Sequence, residues 1–191
     1  MSAAKRATQV PIYQIKVTLT GSKPPIWRRI HVRSDITLAK LHDIIQAVMG
    51  WYDYHLHQFI VAGVYFGVPD PVYGDLVDMR DEQKIRLNQI TTRPGFKFAY
   101  EYDFGDSWEH TLLVEKILPP EEGVQYPICV KGRRACPPED VGGIWGYVDF
   151  LEAIQDPNHP EHESYLEWIG GEFDPEAFDL DGANAALRRV K

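Results

Sequence analysis

From Phe96 to Phe104 every second residue is aromatic: Phe96, Phe98, Tyr100, Tyr102 and Phe104 alternate with Lys97, Ala99, Glu101 and Asp103. Successive side chains of a strand point to opposite faces, so this pattern sets a heavily aromatic face against a polar one. One strand cannot bury such a face alone; it needs neighbours and a second layer packed over them. Gly105, Asp106 and Ser107 are turn residues, and Trp108 to Ile117 follows as another apolar run, which predicts an antiparallel hairpin. An antiparallel sheet is therefore the centre of the fold.

The rest of the chain supplies partners for that hairpin. Tyr13, Ile15, Val17 and Leu19 alternate with Gln14, Lys16 and Thr18, a strand with one buried face. Gly21-Ser22-Lys23-Pro24-Pro25 interrupts it, since proline has no N–H to give a ladder, and Ile26 to Arg33 returns alongside. Leu38, Leu41, Ile45 and Val48 recur at helical spacing with Ile44 beside them. Thr37 to Met49 is thus a helix, capped by Thr37 and closed by Gly50. His55 to Val61 reads as a further strand. Residues 67–95, punctuated by six Gly and Pro, read as a loop-rich excursion with brief strands. Residues 119–146 are again dense in both and read as one long loop, a kind that is functional or specially braced. Helices close the chain: Tyr147 to Gln155, Pro160 to Ile169, and Asp181 to Val190 capped by Asp181.

Strands first and helices gathered last is the α+β pattern. The expected architecture is one domain over residues 1–191: a mostly antiparallel, curved sheet with one early helix (10–118), the 119–146 loop, and a helical lobe (147–191). The long aromatic strands suit a partly closed barrel. Pro137 to Lys191 carries 13 acidic and 3 basic residues, whereas Met1 to Cys136 carries 15 acidic and 17 basic. Phosphate contacts need Lys and Arg, so a nucleic-acid partner would have to use the body rather than the acidic lobe. No run approaches the ~20 apolar residues that span a bilayer, so no membrane partner is expected. Two cysteines do not make a disulfide scaffold, and Lys5 and Arg6 are followed by no apolar stretch. A cytoplasmic, reducing location is the expectation.

Four segments taken together resemble one family. They are Pro24-Pro25-Ile26-Trp27-Arg28-Arg29-Ile30; Thr37-Leu38 through Leu41-His42 to Met49-Gly50-Trp51; Tyr102-Asp103-Phe104-Gly105-Asp106-Ser107-Trp108-Glu109-His110; and Ala135-Cys136-Pro137-Pro138-Glu139-Asp140-Val141-Gly142-Gly143. Phe173-Asp174-Pro175-Glu176-Ala177-Phe178 matches as well. The chain resembles the plasmid pRiA4b ORF-3-like family from Tyr13 to Leu187. That resemblance implies a domain of mobile-element and chromosomal settings with no established activity, at times labelled a resolvase-like passenger of insertion sequences. The label fits poorly here: a serine recombinase needs a nucleophilic serine among catalytic arginines and a basic DNA-binding end, and this end is acidic.

Four constellations could carry chemistry. Trp27, Arg29, His31 and Arg33 share one face of their strand, a candidate polyanion surface with an aromatic for stacking; Arg28 falls on the other face with Ile26, Ile30 and Val32. A solvated face whose arginines pair with the acidic C-terminal helices is the plainer reading. Asp103, Asp106, Trp108 and His110 crowd the hairpin tip, where carboxylates could converge on a hard cation or could cap turn N–H groups. His55 and His57, two apart on a strand, could co-ligate a transition metal. Cys129 and Cys136 flank Lys131, Arg133 and Arg134, which could activate a thiol, although packing within the loop is the simpler role.

No catalytic motif is complete. Asp103-Phe104-Gly105 lacks the other kinase elements, His162-Glu163 has Leu166 where a zincin needs histidine, and Ala135 stands where a phosphatase loop needs arginine. These residues do not identify a cofactor. The leading expectation is a non-catalytic binding or accessory module for a polyanion or protein partner. The rival is a hydrolase or metal-dependent enzyme at the Asp103/Asp106/His110 tip, with His55, His57, Glu139 or Asp140 brought near by folding.

Overall fold

The computed structural model describes residues 9–69 and 79–190; part of the 67–95 excursion and the first eight residues lie outside that range. Among the described residues eight strands form one sheet: β1 (Ile12–Leu19), β2 (Trp27–Arg33), β3 (His57–Val61), β4 (Val64–Gly67), β5 (Met79–Asp81), β6 (Lys97–Tyr102), β7 (Trp108–Leu118) and β8 (Ile128–Arg133). Their order is β5-β4-β3-β6-β7-β1-β2-β8, and every pairing is antiparallel except β4 with β5. The described residues also form five α-helices: α1 (Leu38–Met49), α2 (Leu87–Ile90), α3 (Gly143–Gln155), α4 (His162–Ile169) and α5 (Leu180–Leu187). None is long and apolar enough to cross a membrane, among the described residues.

The alternation that defines β6 holds. Phe98, Tyr100 and Tyr102 are buried and pair through the backbone with Leu112, His110 and Trp108 of β7. β1 lies on the other side of β7 and buries Tyr13, Ile15, Val17 and Leu19. In α1, Thr37 caps the Lys40 N–H and Gly50 ends the helix in the left-handed region at φ 89°. Leu38, Leu41, Ile44 and Ile45 are completely buried. Each such side chain contributes about 1.5–3 kcal/mol by leaving water.

The sheet is open, which corrects the expectation of a partly closed barrel. Closure would need β5 and β8 to pair, but each is an edge. At Cys129 the free edge of β8 is taken by α5: Asn184 accepts from the Cys129 N–H and donates to the Cys129 carbonyl, both at 2.9 Å. A helix side chain thus blocks the edge that a barrel would have joined.

The stretch 119–146 is also not one loop. It contains β8 and the first turn of α3. Gly132 hides β8 from a pattern search, yet it has a packing reason: an added Cβ would lie 2.4 Å from the Phe178 ring. That packing brings the C-terminal segment onto Arg28, which is buried, donates to the Val48 and Arg133 carbonyls, and lies 4.1 Å from the Phe178 ring centre. The last helix is capped by Asp179, not Asp181. Among the C-terminal helices Phe150 is ringed by Tyr165, Trp168 and Phe173 at 5.3–6.0 Å.

Candidate functional site

The segment between α1 and β3 is short, and its backbone is tied down residue by residue. Trp51 donates its indole N–H to the Pro137 carbonyl and stacks on Tyr102 at 5.0 Å. The N–H groups of Tyr52, Asp53 and Tyr54 donate in turn to Glu139, Gln46 and the Tyr102 hydroxyl. Asp53 takes a left-handed conformation (φ 59°), which aspartate tolerates better than most residues. The consequence is a fixed display: Tyr52 and Tyr54 stand 73% and 76% exposed and stack on each other, while Asp53 and His55 turn toward the protein.

His55 meets the hairpin tip. Asp103, also left-handed at φ 57°, uses Oδ1 to accept from the Gly105 and Asp106 N–H groups. That leaves Oδ2 facing His55 Nε2 at 3.6 Å, and Asp140 Oδ1 approaches the same nitrogen at 3.1 Å. Ligand atoms of His55, Asp103 and Asp140 lie within 4.8 Å of one another. The nitrogen is buried but makes no hydrogen bond. An imidazole nitrogen between two carboxylates must carry a proton or face a cation, because its bare lone pair would repel both. Next to this cluster lies a cleft of about 460 Å³ lined by Trp51, Tyr52, Tyr54, Glu139, Asp140 and Trp168 among others. Glu139 holds it together, accepting from the Tyr52 N–H and from the Tyr102 hydroxyl, whose pKa burial and Glu139 push up.

The other tip residues go elsewhere. Asp106 accepts from the Gly142 N–H and fixes the start of α3, and Gly143 must be glycine because a Cβ would meet the Asp106 carbonyl at 2.4 Å. Trp108 and His110 project into the core under Trp51. Burial holds the His110 pKa down at about 4, so its imidazole is neutral. The tip therefore divides: Asp103 joins His55 and Asp140, while Asp106, Trp108 and His110 do not enter that cluster.

His55 and His57 do not share a face, contrary to expectation, because β3 begins only at His57 and His55 lies before the strand's alternation starts. His57 belongs to a second cluster with His42, Asp53 and Glu82. The two imidazoles stack with centres 3.4 Å apart and planes within 4°. His57 Nε2 faces both Glu82 oxygens (2.9 and 3.1 Å), and His42 Nε2 meets Asp53 at 2.9 Å. Asp53 only accepts, so the neutral His42 ring carries its proton on Nε2, and its Nδ1 accepts from the Tyr100 hydroxyl, which in turn accepts from Gln46. Burial, with the charge of His57, lowers the His42 pKa to about 4. Parallel rings aim their lone pairs side by side, not at one point, so this pair is not arranged to grip one ion.

The basic strand face is largely occupied. Arg29 makes a two-pronged pair with Glu115 and Arg33 with Asp35, while His31 meets Gln14. Those acids belong to β7 and to the segment after β2, not to the C-terminal helices. Trp27 lies between Lys16 and Arg29 at 5.0 and 5.1 Å. Cys129 and Cys136 are unbridged, and burial pushes both thiols above their ordinary range, opposite to what activation requires. The sequence marks His55 as a metal-ligand candidate, but with His57 as its partner, and offers Asp140 only as a residue that folding could bring near; nothing in it points to Tyr52, Tyr54, Asp53, His42 or Glu82.

An open α+β sheet carrying a pinned aromatic loop over a His-Asp-Asp cluster is the class this fold and site define. The chain matches the plasmid pRiA4b ORF-3-like protein family over residues 11–182 and belongs to it. It is similar to the uncharacterized protein y4hQ of Sinorhizobium fredii (strain NBRC 101917 / NGR234), 40% identical over 178 residues, covering 92% of this chain and 90% of that protein. It is also similar to the crystal structure of protein of unknown function MM3350 from Methanosarcina mazei Go1. There the TM-score is 0.83 with 42% identity, over 92% of this chain and 97% of that one.

Proposed function

We propose that the chain is a divalent-metal-dependent binding domain that holds an oxygen-bearing small ligand in the Tyr52–Tyr54–Glu139 cleft. The observation that supports this is the buried His55 Nε2, which makes no hydrogen bond and lies 3.1 Å and 3.6 Å from oxygens of Asp140 and Asp103. One imidazole and two carboxylates form a donor set suited to a first-row divalent ion such as Mn²⁺ or Zn²⁺, and three protein ligands leave a position for something else. Asp140, whose side chain is 67% exposed, places that position toward solvent and the cleft. With water as the fourth ligand the same site would be hydrolytic, since the ion acidifies bound water. A polyanion surface is the weaker reading because Arg29 and Arg33 already have carboxylate partners.

The test is calorimetric titration with Zn²⁺ and Mn²⁺ on metal-free protein. One equivalent should bind, and Asp103→Asn and Asp140→Asn should each weaken binding at least ~10-fold. Asparagine keeps the turn-capping oxygen of Asp103 and tolerates the left-handed backbone at both positions, so these variants remove ligand charge with the fold intact. Asp53→Asn should bind like the wild type. Metal binding that survives both substitutions, or that Asp53→Asn abolishes, would place the ion elsewhere and overturn the reading.

A further inference from the structure

The cleft beside His55 has walls of two kinds. Its aromatic wall is open to a ligand: Tyr52, Tyr54 and Trp168 all line it and all are exposed. Its polar wall is acidic, Glu139 with Asp140, and no lysine or arginine lines it. That bias is written into the chain. The lining comes from residues 49–54, 136–140 and 168–173, and no Lys or Arg occurs between Lys40 and Arg80 or between Arg134 and Arg188. Arg28 lines the adjoining cavity instead, buried and donating to the Val48 and Arg133 carbonyls.

We propose that the ligand of this cleft is a small organic cation that also carries an oxygen, such as an ammonium alcohol, held by the aromatic wall and the Glu139 carboxylate. The inference rests on the reading of the cleft as the ligand site and adds the ligand's charge.

Glu139 is half-buried and accepts from two neutral donors, the Tyr52 N–H and the Tyr102 hydroxyl. It has no ion-pair partner among the described residues. Neutral donors orient a carboxylate without cancelling its charge, and each oxygen keeps a further lone pair. Partial burial strengthens its pull on a cation. The rings act in the same sense, because the π cloud over the face of tyrosine or tryptophan is negative and attracts a cation within about 6 Å. A metal at His55 does not reverse this. Asp103 and Asp140 cancel the charge of a divalent ion and the imidazole adds none, so Glu139 keeps the cleft negative. An anion would meet that same carboxylate with no cation to offset it. The cleft, at about 460 Å³, lies within the ~300–1,000 Å³ range of small-molecule sites.

The probes are choline and its uncharged isostere neohexanol, in which carbon replaces the nitrogen. Both keep the hydroxyl, so the pair isolates the charge. Each is titrated by NMR into the full chain, once with EDTA and once with one equivalent of Zn²⁺. Choline should bind the Zn²⁺-treated chain with a Kd on the order of 1 mM, and neohexanol at least ~10-fold more weakly. Tyr52 and Tyr54 are tied down through their backbone N–H groups, so the double variant Tyr52→Leu, Tyr54→Leu should fold as the wild type does. It keeps apolar bulk and loses the ring faces, and should weaken choline about 5-fold or more while leaving neohexanol unchanged. Glu139 also braces the Tyr52 loop, so the outcome rests on the tyrosines and the isosteric pair rather than on a Glu139 variant. The proposal falls if choline binds neither form, if Zn²⁺ abolishes its binding, if the two alcohols bind alike, or if the double variant holds choline as the wild type does. The metal reading is judged separately. Choline selectivity in a chain that takes up no Zn²⁺ would sustain the cation site and overturn the metal, whereas one equivalent of Zn²⁺ bound without choline would do the reverse.

Discussion

Two histidine clusters flank the same seven-residue stretch from Trp51 to His57, and both bring imidazoles and carboxylates within reach of an ion. The inner one, His42 with Asp53, His57 and Glu82, pairs both His42 nitrogens, His57 Nε2 and both Glu82 oxygens. The outer one, His55 with Asp103 and Asp140, leaves a buried nitrogen unbonded. Residue identity alone cannot tell these apart, and burial would favour the inner cluster as a metal site. The distinction lies in hydrogen-bond accounting: a closed set of partners holds a fold together, whereas an open valence between two carboxylates waits for a ligand. The inner cluster should therefore govern stability and the outer one binding.

The largest expected effect is acid lability from neutral buried histidines. His42 in the inner cluster and His110 in the core below Trp51 are both held at about 4, under the ordinary histidine value of ~6.5. Above pH 6.5 both are neutral in the folded and the unfolded chain, and their contribution is complete. Below it the unfolded chain takes up protons that the folded one refuses, so stability falls as pH drops toward 4. From pH 7 to 5 the two together should cost about 4 kcal/mol. Urea midpoints at constant ionic strength measure this, and His42→Gln should roughly halve the fall. A stability that stays flat between pH 7 and 5 would mean the imidazoles reach water.

Glu82→Ala comes next. The Glu82 side chain is 4% exposed and both its oxygens face His57 Nε2, so the substitution strands an imidazole in a buried site. Removing one partner of such a pair should cost about 3 kcal/mol. Asp140→Asn should leave the urea midpoint nearly where it was. If the two variants destabilise equally, the outer cluster is structural too and the contrast is lost.

The sheet and α1 were legible because alternation at period two and apolar spacing at 3.6 are backbone geometry written in residue type. Arg28 illustrates how far that reaches: its position in the alternation assigns it to the apolar face, and there it is buried. β8 was not legible because Gly132 and the charged Lys131 and Arg133 break its pattern for the sake of Phe178 and the solvent face. The site was half legible. Asp103 stands out in a turn, but Asp140 reaches it only because Asp106 holds Gly142 and Glu139 holds the Tyr52 loop. Such tertiary ties between distant segments leave no periodic trace. Nor does the sequence distinguish His55 from His57, since residues two apart share a face only where both lie inside the strand, and β3 begins between them.

The smallest effect is expected where the sequence looked most functional. Arg29 and Arg33 sit on the outer sheet face paired with Glu115 and Asp35, with side chains 26% and 51% exposed. Exposed pairs of this kind contribute ~0–1 kcal/mol, because water screens the attraction and ordering two long side chains offsets it. Arg33→Ala should change the urea midpoint by an amount close to experimental error. Arg29→Ala should cost slightly more, because it also removes a cation from the Trp27 ring and one partner from Glu115. If these pairs merely cover the face, neither substitution should alter retention on a heparin column at low salt. Retention that collapses in the Arg29→Ala, Arg33→Ala double variant would show that Glu115 and Asp35 yield their arginines to a stronger anion. That would move the binding surface from the loop to the sheet.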